Sequence, residues 1–272
     1  MRVDVAHGAE LHAEIVDLVP PWTVDPPAIL MSHGVSTTAD IFNGWLPHLI
    51  PHARIVRFDS RGFGRSTIPT GRHPWSIDLW ADDMLAVADA FAVERFHIVA
   101  ESAAGAAALR LASLDGGARV LSVTTCSAPY RGGDLARVAE WRSRLARDGI
   151  AAWSERMMGE RFHDDQLAPA ARDWFARQQA GGSAEVLADV AEMLVGVDLS
   201  ADLAAIRVPV LVMAADGSPY VTVDIARAMQ RLIPGAELRI IPHARHGIPF
   251  SHAEECARSC VAFLRRNGFV GG

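Results

Sequence analysis

The segment Phe96-His97-Ile98-Val99-Ala100-Glu101-Ser102-Ala103-Ala104-Gly105-Ala106-Ala107 constrains the chain most, because an apolar run of strand character enters a serine and an alanine-rich run of helix character leaves it. A serine on so tight a strand-to-helix turn is held in a strained backbone conformation with its hydroxyl exposed. Only small residues fit two positions before and two positions after it. Ala100 and Ala104 satisfy that steric rule, although the glycines of the G-x-S-x-G form are missing and Gly105 comes one residue late. Taken alone, the segment also fits a buried serine in an ordinary connection. Taken as a site, it makes Ser102 a nucleophile.

Two further stretches favour the second reading. Pro27-Ala28-Ile29-Leu30-Met31-Ser32 is a short apolar strand that ends in His33-Gly34. Glycine there lets the backbone bend away from a sheet, so that the amide of Val35, with Ser36 beside it, can face the space above Ser102. Together with the amide of Ala103 at the start of the following helix, this supplies two N–H donors for one developing oxyanion. Near the other end, Glu237-Leu238-Arg239-Ile240-Ile241-Pro242 reads as a last strand, followed by His243-Ala244-Arg245-His246. A histidine on the loop after the last strand can reach across the sheet edge, and imidazole takes a serine proton near neutral pH, which makes His246 the general base. His243 is expected to be a surface histidine. His48, His52 and His252 lack metal-ligand spacing, and neither a metal nor a cofactor is expected.

Early strands are expected around Val3-Val5 and Leu11-Val16, with strands and helices alternating from there to about Cys126. That order implies an α/β class with a mostly parallel sheet and helices on both faces, since parallel strands need crossovers. Residues 131–200 break the alternation and read as helices only, carrying Trp141, Trp153, Met157 and Phe162 among others; strands resume at Val208. The segment is expected to be a helical cap inserted after the sixth strand, with 1–130 and 201–272 forming the core domain. A cap there lies over the sheet edge where ligands of open α/β sheets bind. Trp141 and Trp153 are expected to line an apolar pocket for substrate.

Composition excludes several classes. A chain of 272 residues, half of them hydrophobic, can bury one large core. The net charge of −6 leaves no basic footprint for nucleic acid, and no stretch is long and apolar enough for a membrane span. The start of the chain shows no signal-peptide core, and three cysteines, two of them at helix spacing, fit reduced thiols in a cytoplasm. All basic residues are arginine, so lysine Schiff-base chemistry is excluded. The Gly62-Phe63-Gly64 pair lacks the third glycine of a dinucleotide loop, and the elbow lacks a phosphate loop. A small-molecule partner is expected, with a homo-oligomer left open.

The collinear order of the His33-Gly34 turn, Asp59-Ser60-Arg61-Gly62-Phe63-Gly64-Arg65-Ser66 in the form D-x-R-G-x-G-x-S, Ser76-Ile77, Ser102, Ile206-Arg207-Val208-Pro209-Val210-Leu211-Val212 and the loop at His246 resembles the α/β-hydrolases. Within them the chain is most similar to 3-oxoadipate enol-lactonases and related small esterases and lactonases. The resemblance covers nearly the whole chain and implies a serine hydrolase cleaving a small ester or lactone, 3-oxoadipate enol-lactone being the named candidate. It also implies a triad acid, whose place, counted from Pro209, falls on Ser218. Asp216, two residues earlier, is the expected acid. Asp224 at a helix start is the second candidate, and a dyad with a neutral partner the third. An enol-lactone carries a carboxylate, for which Arg131 is the expected partner. The scaffold also serves C–C bond hydrolases, cofactor-free perhydrolases and non-catalytic ligand-binding proteins, so fold alone does not choose among these.

Overall fold

The computed structural model describes residues 1–71 and 73–270. Eight strands form one sheet: β1 (Arg2–Val5), β2 (Ala9–Val16), β3 (Ala28–Ser32), β4 (Arg54–Phe58), β5 (Phe96–Glu101), β6 (Val120–Cys126), β7 (Val210–Ala215) and β8 (Glu237–Ile241), in the order β1-β2-β4-β3-β5-β6-β7-β8. β2 runs antiparallel to both β1 and β4, and every pairing from β4 through β3 to β8 is parallel. The last strand ends at Ile241, one residue before Pro242, which has no N–H for the ladder.

Side chains alternate across a strand, and the core is therefore split in two by the sheet. Leu30, Val56, Ile98, Val123 and Val212 face one half. Ile29, Met31, Ile55, Val99 and Leu211 face the other. The first half is covered by α2 (Ile77–Ala90) and α3 (Ser102–Asp115), and its residues extend to Ala226 and Met229 of α8 (Val223–Leu232). The second half takes up Leu49 of α1 (Leu46–Leu49), Ile248 of α9 (Ile248–Ser251) and one face of α10 (Ala253–Arg266). Hydroxyl caps set the starts of the crossover helices: Ser76 Oγ accepts from Leu79 N at 3.0 Å and Thr222 Oγ1 from Ile225 N at 3.3 Å.

Between β6 and β7 the chain forms α4 (Ala136–Ala139), α5 (Trp141–Arg161), α6 (Pro169–Ala180) and α7 (Ala184–Val195). α5 is broken at Gly149, whose φ is 77°. This layer is fastened to both halves of the core. Trp141, Trp153, Leu187 and Leu194 join the first, and Phe162 and Phe175 join the second. Among the described residues no helix is long and apolar enough to cross a membrane.

Candidate active site

Ser102 is the hinge between β5 and α3, and its φ of 51° lies in the left-handed region that L side chains rarely adopt. Ala100 and Ala104 are fully buried on either side of it. A Cβ on Gly105 would sit 2.3 Å from Cβ of Ala128, so the glycine displaced by one place serves the close approach of α3 to the loop after β6. At Gly34 a Cβ would come within 2.6 Å of Glu101 Oε2 and 2.8 Å of Ser102 Cβ. Only glycine lets the turn after β3 lie against the end of β5 at Glu101 and Ser102.

The turn is fixed from both sides. Gly34 N donates to Glu101 Oε2 at 2.6 Å, Ser60 N donates to His33 Nε2 at 2.8 Å, and Ser60 Oγ donates to the His33 carbonyl at 2.7 Å. Asp59 in turn accepts from Ala39 N, Arg65 N and Arg65 Nε. The D-x-R-G-x-G-x-S segment is thus a brace under the turn. Val35, next along, lies beside Ser102 and His246, and the Ala103 amide is in the first turn of α3, where no carbonyl of its own helix can accept it.

His246, on the loop between β8 and α9, places Nε2 3.0 Å from Ser102 Oγ. Its Nδ1 lies 3.2 Å from Ser218 Oγ. Burial, with the positive charge of Arg161 added, pushes its pKa down to about 3. The ring edge of Tyr220 packs on it at 5.1 Å between centroids. A hydroxyl in contact with an imidazole beside unpaired helix N–H groups is equipped to attack a carbonyl and hold the charge that develops on its oxygen.

Neither carboxylate expected behind the imidazole is there. Asp216 accepts from the backbone N–H groups of His243 at 2.8 Å and Ala244 at 2.9 Å, so both of its oxygens tie the β7 turn to the histidine loop. Asp224 projects into solvent on α8 near Arg227, and the cap of that helix is Thr222. The place counted from Pro209 is the one that faces Nδ1, and a serine occupies it. His243 is exposed, stacked on His163 and 3.3 Å from Asp165.

The space above Ser102 is a cavity of about 20 Å³, bounded by Val35, Trp141, Met157, Arg161, Leu194 and Tyr220. That holds one water-sized group. Trp141 reaches it, whereas Trp153 backs Trp141 in an edge-to-face contact at 5.1 Å without lining it. Ser36, with a φ of 54°, turns toward a separate cleft beside Arg65 and Arg177. Arg131 is surface-exposed and paired with Asp134 at 2.8 Å, because its backbone forms a bridge to Asp198 at the rim and carries the side chain outward.

The arginine that does enter the site is Arg161, at the end of α5. Its Nη1 meets Glu101 Oε1 at 3.2 Å and its Nη2 donates to the Val35 carbonyl at 3.0 Å; both side chains of the pair are 1% exposed. Burial raises the pKa of Glu101 against the pull of Arg161, and burial lowers that of Arg161. Nothing in the sequence distinguishes Arg161 from the other arginines except its position at the end of the helix that carries Trp141 and Trp153. For Ser218 the signal was present, since the count from Pro209 falls on it.

Residues 27–253 match the model of the alpha/beta hydrolase fold, and the chain belongs to that family. It is therefore a hydrolase by family. It is 28% identical over 258 residues to a protein named as the carbamate hydrolase RutD of Caulobacter sp. (strain K31), covering 88% of this chain and 91% of that one. It is 25% identical over 221 residues to 3-oxoadipate enol-lactonase 1 of Acinetobacter baylyi, covering 79% and 80%. The enol-lactonase of Burkholderia xenovorans LB400 superposes with a TM-score of 0.86 at 23% identity, over 97% of this chain and 100% of the other.

Proposed function

We propose that the chain is a serine hydrolase that cleaves a small ester or lactone through an acyl-enzyme. The observation that carries this reading is the 3.0 Å contact between Ser102 Oγ and His246 Nε2 on a strained elbow. Ser102 attacks the carbonyl carbon as His246 takes its proton, the amides of Val35 and Ala103 receive the oxyanion, and water then releases the acyl group by the same route in reverse. The enol-lactonase relative supports 3-oxoadipate enol-lactone as the first substrate to test. The relative named as a carbamate hydrolase adds carbamates to the panel, because both are attacked at a carbonyl carbon.

A fluorophosphonate probe tests the reading directly. Wild type is expected to label covalently and to turn over at least one member of a panel of enol-lactones, aryl esters and carbamates. Ser102→Ala removes one oxygen and leaves a residue already tolerated on both sides of the elbow, so it should fold normally while labelling and turnover vanish. A wild-type protein that neither labels nor turns over is a binding protein on this scaffold.

A further inference from the structure

A serine hydroxyl has one proton to give and two lone pairs to receive with. At Ser218 both lone pairs are engaged from the turn that leads to α8: Val221 N donates to Oγ at 3.2 Å and Tyr220 N at 3.4 Å. The remaining contact of the oxygen, 3.2 Å to His246 Nδ1, is the one left for its proton. A ring nitrogen that accepts a hydrogen bond carries no hydrogen, so the single proton of the neutral imidazole is on Nε2, facing Ser102. In that tautomer Nε2 cannot take the serine proton.

The surroundings give the other form little help. A carboxylate at Nδ1 both selects the Nδ1–H tautomer and stabilises the imidazolium. The charge that acts on this ring is that of Arg161 from α5, of the wrong sign; the partner of Arg161, Glu101 on β5, has its oxygens held by Arg161 and by Gly34 N. Glu160, also on α5, has its carboxylate bound by Tyr220 Oη and Arg137. On the β7 side, Asp216 is spent on backbone N–H groups.

We propose, on the reading that Ser102 and His246 carry out acyl transfer, that Ser218 is the positioning residue that sets leaving-group specificity. By holding His246 as the Nε2–H tautomer without a carboxylate behind it, Ser218 favours esters and lactones whose leaving oxygen departs as a stable anion, such as an enolate or a phenolate, over alkyl esters. In the minor Nδ1–H tautomer, the bond from Ser102 Oγ to the carbonyl carbon forms, and the serine proton passes to Nε2. The bond from that carbon to the leaving oxygen then breaks with its electron pair. An alkoxide has to be protonated by the imidazolium as it leaves. An enolate or phenolate does not, and the ring loses its proton to solvent afterwards. Water then attacks the acyl carbon, gives one proton to Nε2, and the carbon–Oγ bond breaks as that proton returns to Ser102.

The test compares wild type with Ser218→Asp on esters of one acid whose leaving groups run from nitrophenol through phenol to a simple alcohol. Wild type is expected to show a steep fall of kcat/KM with leaving-group pKa, slow alkyl-ester turnover, and a rate that is flat in pH around neutrality. Replacing the acid of a serine triad by its amide lowers kcat by about 10⁴-fold, so Ser218→Asp should raise alkyl-ester turnover by roughly 10²-fold or more, flatten the slope and add an inflection near neutral pH. Nitrogen-15 NMR of the histidines in the wild-type protein reads the tautomer with no substitution, so the proposal stays testable if the variant fails to fold. His246 with its proton on Nδ1, or a shallow slope that a folded Ser218→Asp variant leaves unchanged, overturns it. If neither protein reacts with a fluorophosphonate, the acyl-transfer reading itself falls and takes the specificity proposal with it, whichever tautomer is seen.

Discussion

Asp216 and Ser218 lie two positions apart on the turn after β7, and that spacing separates holding the loop from facing the imidazole. Burial alone would raise the pKa of Asp216; the N–H groups of Ala244 and His243 more than offset this and hold it below the usual carboxylate range. Its work is to join two loops. Asp216→Asn should therefore lower stability by about 1 kcal/mol, since exposed charge-assisted bonds are screened. Turnover of the best substrate should change by less than about tenfold, against the roughly 10⁴-fold loss seen when a triad acid is amidated. Urea unfolding and steady-state kinetics on one preparation measure both; a collapse of kcat with unchanged stability would restore Asp216 as the acid. The Ser102 elbow and the His33–Gly34 turn were legible in the sequence because they are backbone turns that small residues announce. The group behind the imidazole was less legible, because residue type and position point to different places: the aspartate stands at 216, and the place that faces the ring holds a serine.

Among the elements, β5 and α5 are joined through the Glu101–Arg161 pair, which links the residue before Ser102 to the end of α5. Removing one partner from a pair this buried leaves an uncompensated charge, and the expected loss is about 3–5 kcal/mol. Arg161→Met should lose that much, and Glu101→Leu in the same chain should recover most of it. The comparison is a double-mutant cycle read by denaturant midpoint. Recovery of nothing would mean that Arg161 stabilises through the Val35 carbonyl alone. The strand–helix alternation that gives this sheet was readable from apolar runs and caps such as Ser76. The pairing of α5 with β5 was not, because a bond between residues sixty positions apart leaves no local pattern.

For the whole molecule, the sheet divides one core into two, and the underside carries a histidine the chain keeps neutral. His97 on β5 bonds Ser122 Oγ through Nδ1 at 2.8 Å and packs against Phe269, while its Nε2 is buried without a partner among the described residues. Burial, with Arg95 adding to it, lowers its pKa from 6.5 to about 4. A base whose folded pKa is depressed contributes stability that is complete above pH 6.5 and is lost as the pH falls toward 4, with a slope of up to about 1.4 kcal/mol per pH unit. Asp83, raised to about 6 chiefly by burial beside Arg61, changes stability in the opposite sense over an overlapping range, so the wild-type curve alone does not isolate His97. The difference between wild type and His97→Gln does. The variant should lose less stability between pH 6.5 and 4, whatever its offset at neutral pH, and parallel curves would show that His97 does not titrate in this range. The same closely packed interior leaves only about 20 Å³ over Ser102. An ester larger than one water enters only while the cap side chains stand aside, so its apparent affinity equals its intrinsic affinity multiplied by the fraction of time spent open. Substitutions that loosen α5 or α7 without touching the ligand should then tighten binding and weaken folding together, which makes the stiffness of the lid a second dial on the enzyme, independent of its chemistry.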